Sequence, residues 1–212
     1  PQNIILINLK EYIMENKRSI SSAILHCISA SIFFVCAILL IVFTCINKSA
    51  INIIFITIFS VSSFIYFLFS TIYHFTNIET FFKKFDTILS HLLLATSTFP
   101  IFLCILQGAW GWALFGTILG ILLTSIIMTS IWTNIPKILS SILYFLIIIC
   151  FLISIIPLIL FNKIPILILI GIILYFIAEL LDLLKFPHIF SHILISIACS
   201  LEFIFYFIYI FC

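Results

Sequence analysis

Apolar residues run along the chain in long stretches, interrupted by short polar groups. Ile138 to Phe161 and Ile164 to Leu184 carry apolar residues on every helical face, with no period of two. A transmembrane strand alternates apolar and polar residues over about 10 positions, whereas a spanning helix needs about 20 mostly apolar residues in a row. The pattern therefore predicts an all-α, polytopic membrane protein. Its seven predicted spans lie near 20–46, 52–75, 86–106, 111–131, 138–161, 164–184 and 188–212. The breaks are Asn47 to Ser49, Asn77 to Lys84, Gln107 to Gly111, Trp132 to Lys137, Asn162-Lys163 and Lys185 to Pro187.

Composition narrows the class further. Hydrophobic residues make up 65% and charged residues 8%, with 25 Phe. A soluble domain is roughly 45–50% apolar and about 25% charged, so a soluble globular enzyme is excluded. Disorder, which needs low hydrophobicity and high charge, is excluded as well. A net charge of +2, with the basic residues between spans, points to no nucleic-acid partner. The seven cysteines form no C-x-x-C pair and lie in or at the ends of apolar runs, where cysteine acts as a small hydrophobe.

Residues 1–19 are the only extended polar region, expected to be a cytoplasmic N-terminal segment before one seven-helix domain at 20–212. The run Ile20 to Ile46 is longer than the 7–15 apolar residues of a signal peptide, so it is expected to remain as span one. Basic residues are retained on the cytoplasmic side. With the N-terminus inside, inner segments hold Lys10, Lys17, Arg18, Lys83, Lys84, Lys137 and Lys185, and outer segments only Lys48 and Lys163. The expected topology is N-terminus in, C-terminus out.

That orientation brings ionisable groups to one depth. His74 ends span two with Ser70 one turn deeper on the same face, and Asp86 opens span three. His188 and His192 open span seven, Glu179 and Asp182 close span six, and His26 lies near the inner end of span one. Intramembrane ionisable groups are costly and mark candidate sites. The four-residue spacing of His188 and His192 puts both imidazoles on one helix face, as in zinc-binding helices, and His74 can supply a third nitrogen. Three protein ligands with an open position is the pattern of catalytic zinc, which acidifies water to a pKa of about 7. Asp86 can then take the water's proton or hold a ligand, and Ser70 can hydrogen-bond substrate or water.

Plainer roles compete for each residue. An i, i+4 histidine pair often binds nothing. Asp86 can cap span three or pair with Lys83 or Lys84. Glu179 and Asp182 can anchor the inner end beside Lys185. His91 can be a satisfied interior histidine, and Glu202, deeper in span seven, a neutral carboxyl.

At these residues the chain resembles the haemolysin III proteins, bacterial relatives of the progestin and adipoQ receptors. Ser70-Thr-Ile-Tyr-His74 resembles their S-x-x-Y-H motif, and Lys83-Lys-Phe-Asp86 the following K-x-x-D-H segment. Leu92 to Pro100 resembles L-L-I-A-G-T-Y-T-P, and His188-Ile-Phe-Ser-His192 the closing H-x-x-x-H. Gly111-Trp112 and Leu139-Ser140 fit weaker family positions. The resemblance implies a seven-helix fold in the bacterial inner membrane. It also implies zinc held by His74, His188 and His192, with Asp86 near the attacking water and Ser70 adjacent. In eukaryotic relatives the fold is linked to ceramidase-like lipid amide hydrolysis and to receptor signalling. This chain departs from the pattern in four places. Thr87 replaces the histidine after the motif aspartate, and Thr96 to Pro100 reads T-S-T-F-P. The acidic residue and Asn before His26 are missing, and Glu202 stands where a late histidine is expected.

The expected function is zinc-dependent hydrolysis of a lipid amide or ester entering from the bilayer, with membrane lipids as partners. The alternatives are a pore-forming, lytic protein and a ligand-binding sensor without turnover. No ring of charged residues lines a span, which argues against a water-filled pore.

Overall fold

The computed structural model describes residues 2–76, 79–132, 136–160 and 165–211; the side chains of residues 2–19, 79–81, 83 and 188 fall outside that description. Among the described residues, seven α-helices follow one another: α1 (Gln2–Asn47), α2 (Ala50–Phe75), α3 (Glu79–Pro100), α4 (Gly108–Ile131), α5 (Lys137–Leu160), α6 (Ile166–Leu183) and α7 (His188–Phe211). A π-helical turn, Ile101–Leu106, extends α3. Among the described residues there is no strand. All seven helices contain a stretch long and apolar enough to cross a membrane, that of α1 being Ile20–Asn47.

Each helix packs on the next, and α7 returns to α1, closing a ring. The third span is the central one: 83% of its apolar window is buried, against 28–50% in the others. It packs on α2 and α4 and reaches α5. Ile24, Ile28 and Ile32 of α1, and Ile149, Ile153 and Ile156 of α5, face outward where lipid would lie. Interior hydroxyls bond back to their own helices, as Ser60 to the Ile56 carbonyl (2.7 Å) and Ser63 to that of Phe59 (2.8 Å). In a medium without water this keeps polar groups satisfied within the span.

Two boundaries differ from the sequence expectation. The break expected at 77–84 is shorter, because α3 starts at Glu79. Asp86 is therefore in the second turn and is not the helix cap. The break at 107–111 shrinks to Gln107 alone, with α4 starting at Gly108. The expected breaks at Asn162-Lys163 and at 133–135 lie outside the described residues.

Pro100 explains the π-helical turn. Its ring lacks an N–H and crowds the carbonyl one turn back, so the α-helical ladder cannot continue unchanged. The wider turn closes with Gln107 N–H donating to the Phe102 carbonyl at 2.8 Å. Neighbouring side chains take up other carbonyls: Tyr206 donates to Ser97 O (2.5 Å) and Gln107 Nε2 to Cys104 O (2.7 Å). Gly111 of α4 packs directly on this turn, where an added Cβ would overlap the Phe102 carbonyl oxygen. Backbone oxygen cannot step aside cheaply. Gly111→Ala is expected to cost about 1–3 kcal/mol and to lower the melting temperature in detergent.

Candidate metal centre

Three helices converge near one end of the ring. His26 comes from α1, His74 from the last turn of α2 and His192 from the first turns of α7. Their rings are in mutual contact. His26 stacks on His74 (centroids 5.5 Å, planes 7° apart), and His192 meets His26 edge-on at 4.2 Å. His192 and His74 are also edge-on, at 5.1 Å, with their Nε2 atoms 3.3 Å apart. One ligand nitrogen from each of the three lies within 4.8 Å of the others. His26 and His192 are buried and His74 is half-buried.

The donor set fits a metal ion. Two imidazole nitrogens bound to one tetrahedral zinc at about 2.0–2.1 Å stand about 3.3 Å apart, which is the His74–His192 separation. Imidazole suits zinc, copper, iron and nickel, so spacing alone admits several divalent ions. Without an ion, the same contact is a hydrogen bond from one ring to the other.

Ser70 of α2 donates to Asp86 Oδ1 of α3, tying the two helices together beside the cluster. Ser70 is fully buried. The Lys84 ammonium reaches the Ser130 carbonyl at 3.2 Å. Asp86 and His192 both line a cavity of about 360 Å³ enclosed by α2, α3, α5, α6 and α7.

Of the site residues expected from sequence, Ser70 and Asp86 meet, and His74 meets His192. The side chain of His188, one turn before His192, lies outside the described residues. His26 was left out of the expected ligand set, yet its ring touches both others. Its signal was present: between Ile20 and Ile46 it is the only residue among His, Asp, Glu, Lys and Arg. His91 is an interior histidine, with Nδ1 at 2.7 Å from Thr87 O and Nε2 at 3.1 Å from Ser140 O. Asp182 pairs with Lys137 of the neighbouring α5 at 2.8 Å, while Lys185 is exposed. Glu179 faces inward and accepts from Ser141 Oγ at 2.5 Å. Glu202 is fully buried and accepts from Tyr175 at 3.1 Å.

The family model described as haemolysin-III related matches residues 14–211, nearly the full chain. The chain belongs to this family. No curated protein and no solved structure matches it. The haemolysin III match and the seven apolar helices together identify an integral, multi-pass membrane protein. A buried imidazole group able to hold a metal ion is part of this haemolysin III chain's architecture.

Proposed function

We propose that this chain is a zinc-dependent hydrolase of the bacterial inner membrane, acting on a lipid amide or ester. The observation that carries the proposal is the contact of three imidazoles, one of which, His192, lines the same cavity as Asp86. Zinc, when bound, supplies Lewis-acid polarisation of a carbonyl and lowers the pKa of water to about 7. His74 and His192 are the ligands common to the sequence pattern and the geometry. The third imidazole is His188 in the sequence pattern and His26 in the geometry. Zinc content of His26→Ala and His188→Ala separates the two: loss in one variant and retention in the other assigns the ligand.

Asp86 acts as the general base, taking the proton from the attacking water. Ser70 donates to Asp86 Oδ1 and so fixes the carboxylate's rotamer.

Detergent-purified protein incubated with ceramides, other acyl-amides, esters and phospholipids is expected to release fatty acid from at least one of them. A chelator should abolish the release and added zinc restore it. No turnover with metal bound, together with leakage of liposomes, would favour the lytic alternative instead.

The proposal includes an N-terminus in the cytoplasm, which puts the histidines in the cytoplasmic leaflet. A reporter fused after Cys212 is then expected to register outside the cytoplasm. A cytoplasmic signal there would reverse the orientation.

A further inference from the structure

Most polar side chains on the cavity wall have spent their hydrogen-bonding capacity within the protein. Ser90 donates to Thr87 O at 2.8 Å, and Ser141 to Glu179 Oε1 at 2.5 Å. Both His91 nitrogens face carbonyl oxygens, at 2.7 and 3.1 Å. Lys137 is held by Asp182 at 2.8 Å, and the Tyr66 hydroxyl adjoins that of Ser70. Ser191 of α7 is the exception. It lines the cavity, is 3% exposed, and its hydroxyl meets no partner among the described residues. Buried hydroxyls are normally paired, so an unpaired one on a cavity wall points to a ligand atom as its partner.

Its place in the chain indicates which atom. Ser191 directly precedes His192, a metal ligand in the hydrolase reading, and both line the cavity. Consecutive helical side chains leave the axis about 100° apart, so the hydroxyl reaches the cavity from beside the imidazole. It also lies in the first turn of α7, where unbonded N–H groups and the helix dipole favour negative charge. The formal charge on this wall is mixed. Asp86 of α3 and Glu179 and Asp182 of α6 bring carboxylates, and Lys137 of α5 answers Asp182. His91 and His192 bring imidazoles, and a metal held by His192 adds positive charge. A negative oxygen forming between that metal and the Asp86 carboxylate gains from a hydroxyl donor as well.

We infer that Ser191 is a catalytic residue, its hydroxyl donating a hydrogen bond to the oxyanion that forms from the acyl carbonyl. The inference rests on the hydrolase proposal and names a further participant in it. Water gives its proton to Asp86 as its oxygen bonds to the acyl carbon, and the carbonyl π pair moves onto the carbonyl oxygen. Ser191 stabilises that charge while it lasts. When the pair returns, the bond to the leaving nitrogen or oxygen breaks, and the leaving group takes the proton from Asp86. Ser191 keeps its own proton throughout.

The test compares Ser191→Ala with wild type, both zinc-loaded, in binding two probes of equal chain length. An alkyl trifluoromethyl ketone hydrates to a tetrahedral adduct, whereas the matching methyl ketone stays planar. Wild type is expected to bind the trifluoromethyl ketone more tightly. Ser191→Ala should weaken that binding about tenfold or more, as loss of one hydrogen bond to a charged oxygen implies, and leave the methyl ketone unchanged. On any lipid that wild type hydrolyses, kcat should fall ~10²-fold with KM and zinc content unchanged, the scale of one oxyanion donor. The melting temperature should hold or rise, because the substitution removes an unpaired buried hydroxyl and no packing carbon. If Ser191→Ala fails to fold, Ser191→Cys serves instead, since a thiol keeps the volume and is a weaker donor. A folded variant that keeps both the trifluoromethyl ketone preference and kcat overturns the inference and leaves the hydrolase reading standing. Wild type that binds the two ketones equally and hydrolyses no lipid retires the hydrolase reading, and the inference with it.

Discussion

Asp86→Asn is expected to keep its zinc and its fold while losing lipid turnover by ~10²-fold or more, the usual scale of general-base assistance. Asparagine has nearly the size of aspartate and retains an oxygen that can accept from Ser70, so the tie between α2 and α3 survives. What disappears is the negative charge and the second basic oxygen. The geometry removes one competing structural role: because α3 begins at Glu79, Asp86 does not cap it. Lys84 reaches the Ser130 carbonyl, and the side chain of Lys83 lies outside the described residues. A purely structural Asp86 would make the substitution cost about 1 kcal/mol of stability and leave the rate near wild type. Turnover by mass spectrometry, melting temperature and metal analysis on one preparation distinguish the cases. Loss of rate and metal together would make Asp86 a ligand or a ligand-positioning group.

His192→Ala and His74→Ala are expected to have the largest effect on metal affinity. His192 is the hub of the cluster, with its Nε2 3.3 Å from His74 Nε2 and its ring 4.2 Å from His26. Loss of an outer-shell partner typically costs about 10–100-fold in metal affinity, so loss of a ligand should exceed ~100-fold. Glu202→Gln provides the control. Glu202 lies ten residues further along α7, about 15 Å by helix rise, and its carboxyl accepts from Tyr175. Its substitution should leave zinc in place. Metal content after dialysis against a graded chelator gives the comparison, and a zinc loss in Glu202→Gln equal to that in His192→Ala would put the site elsewhere.

The seven spans were legible because nothing else explains apolar runs of 20 residues and more. Their ends were less so. Glu79, Lys83 and Lys84 read as a break, yet a helix tolerates charges in its first turns and α3 runs through them. Pro100 was visible, but the wider turn at Ile101–Leu106 depends on what surrounds its carbonyls, and Tyr206 comes from α7. The meeting of Ser70 with Asp86, and of His74 with His192, follows from alternating span direction and so could be read from sequence. His26 shares that depth, but the i, i+4 pair in α7 had already filled the third ligand position. Partners on other helices were less legible for a related reason. Asp182 has Lys185 near in sequence, while packing of α5 on α6 brings it Lys137. Glu179 turns inward to Ser141 by the same packing.

The proposal stands or falls on one zinc ion held by His74, His192 and a third imidazole, His26 or His188. X-ray absorption at the zinc edge on detergent-purified protein tests it most directly, because the chain has seven cysteines that are rival ligands. The account predicts about one zinc per chain, with three imidazole nitrogens at about 2.0–2.1 Å and no sulfur in the shell. Sulfur at about 2.3 Å, or a shell that is unchanged in a His74/His192 double variant, would contradict it.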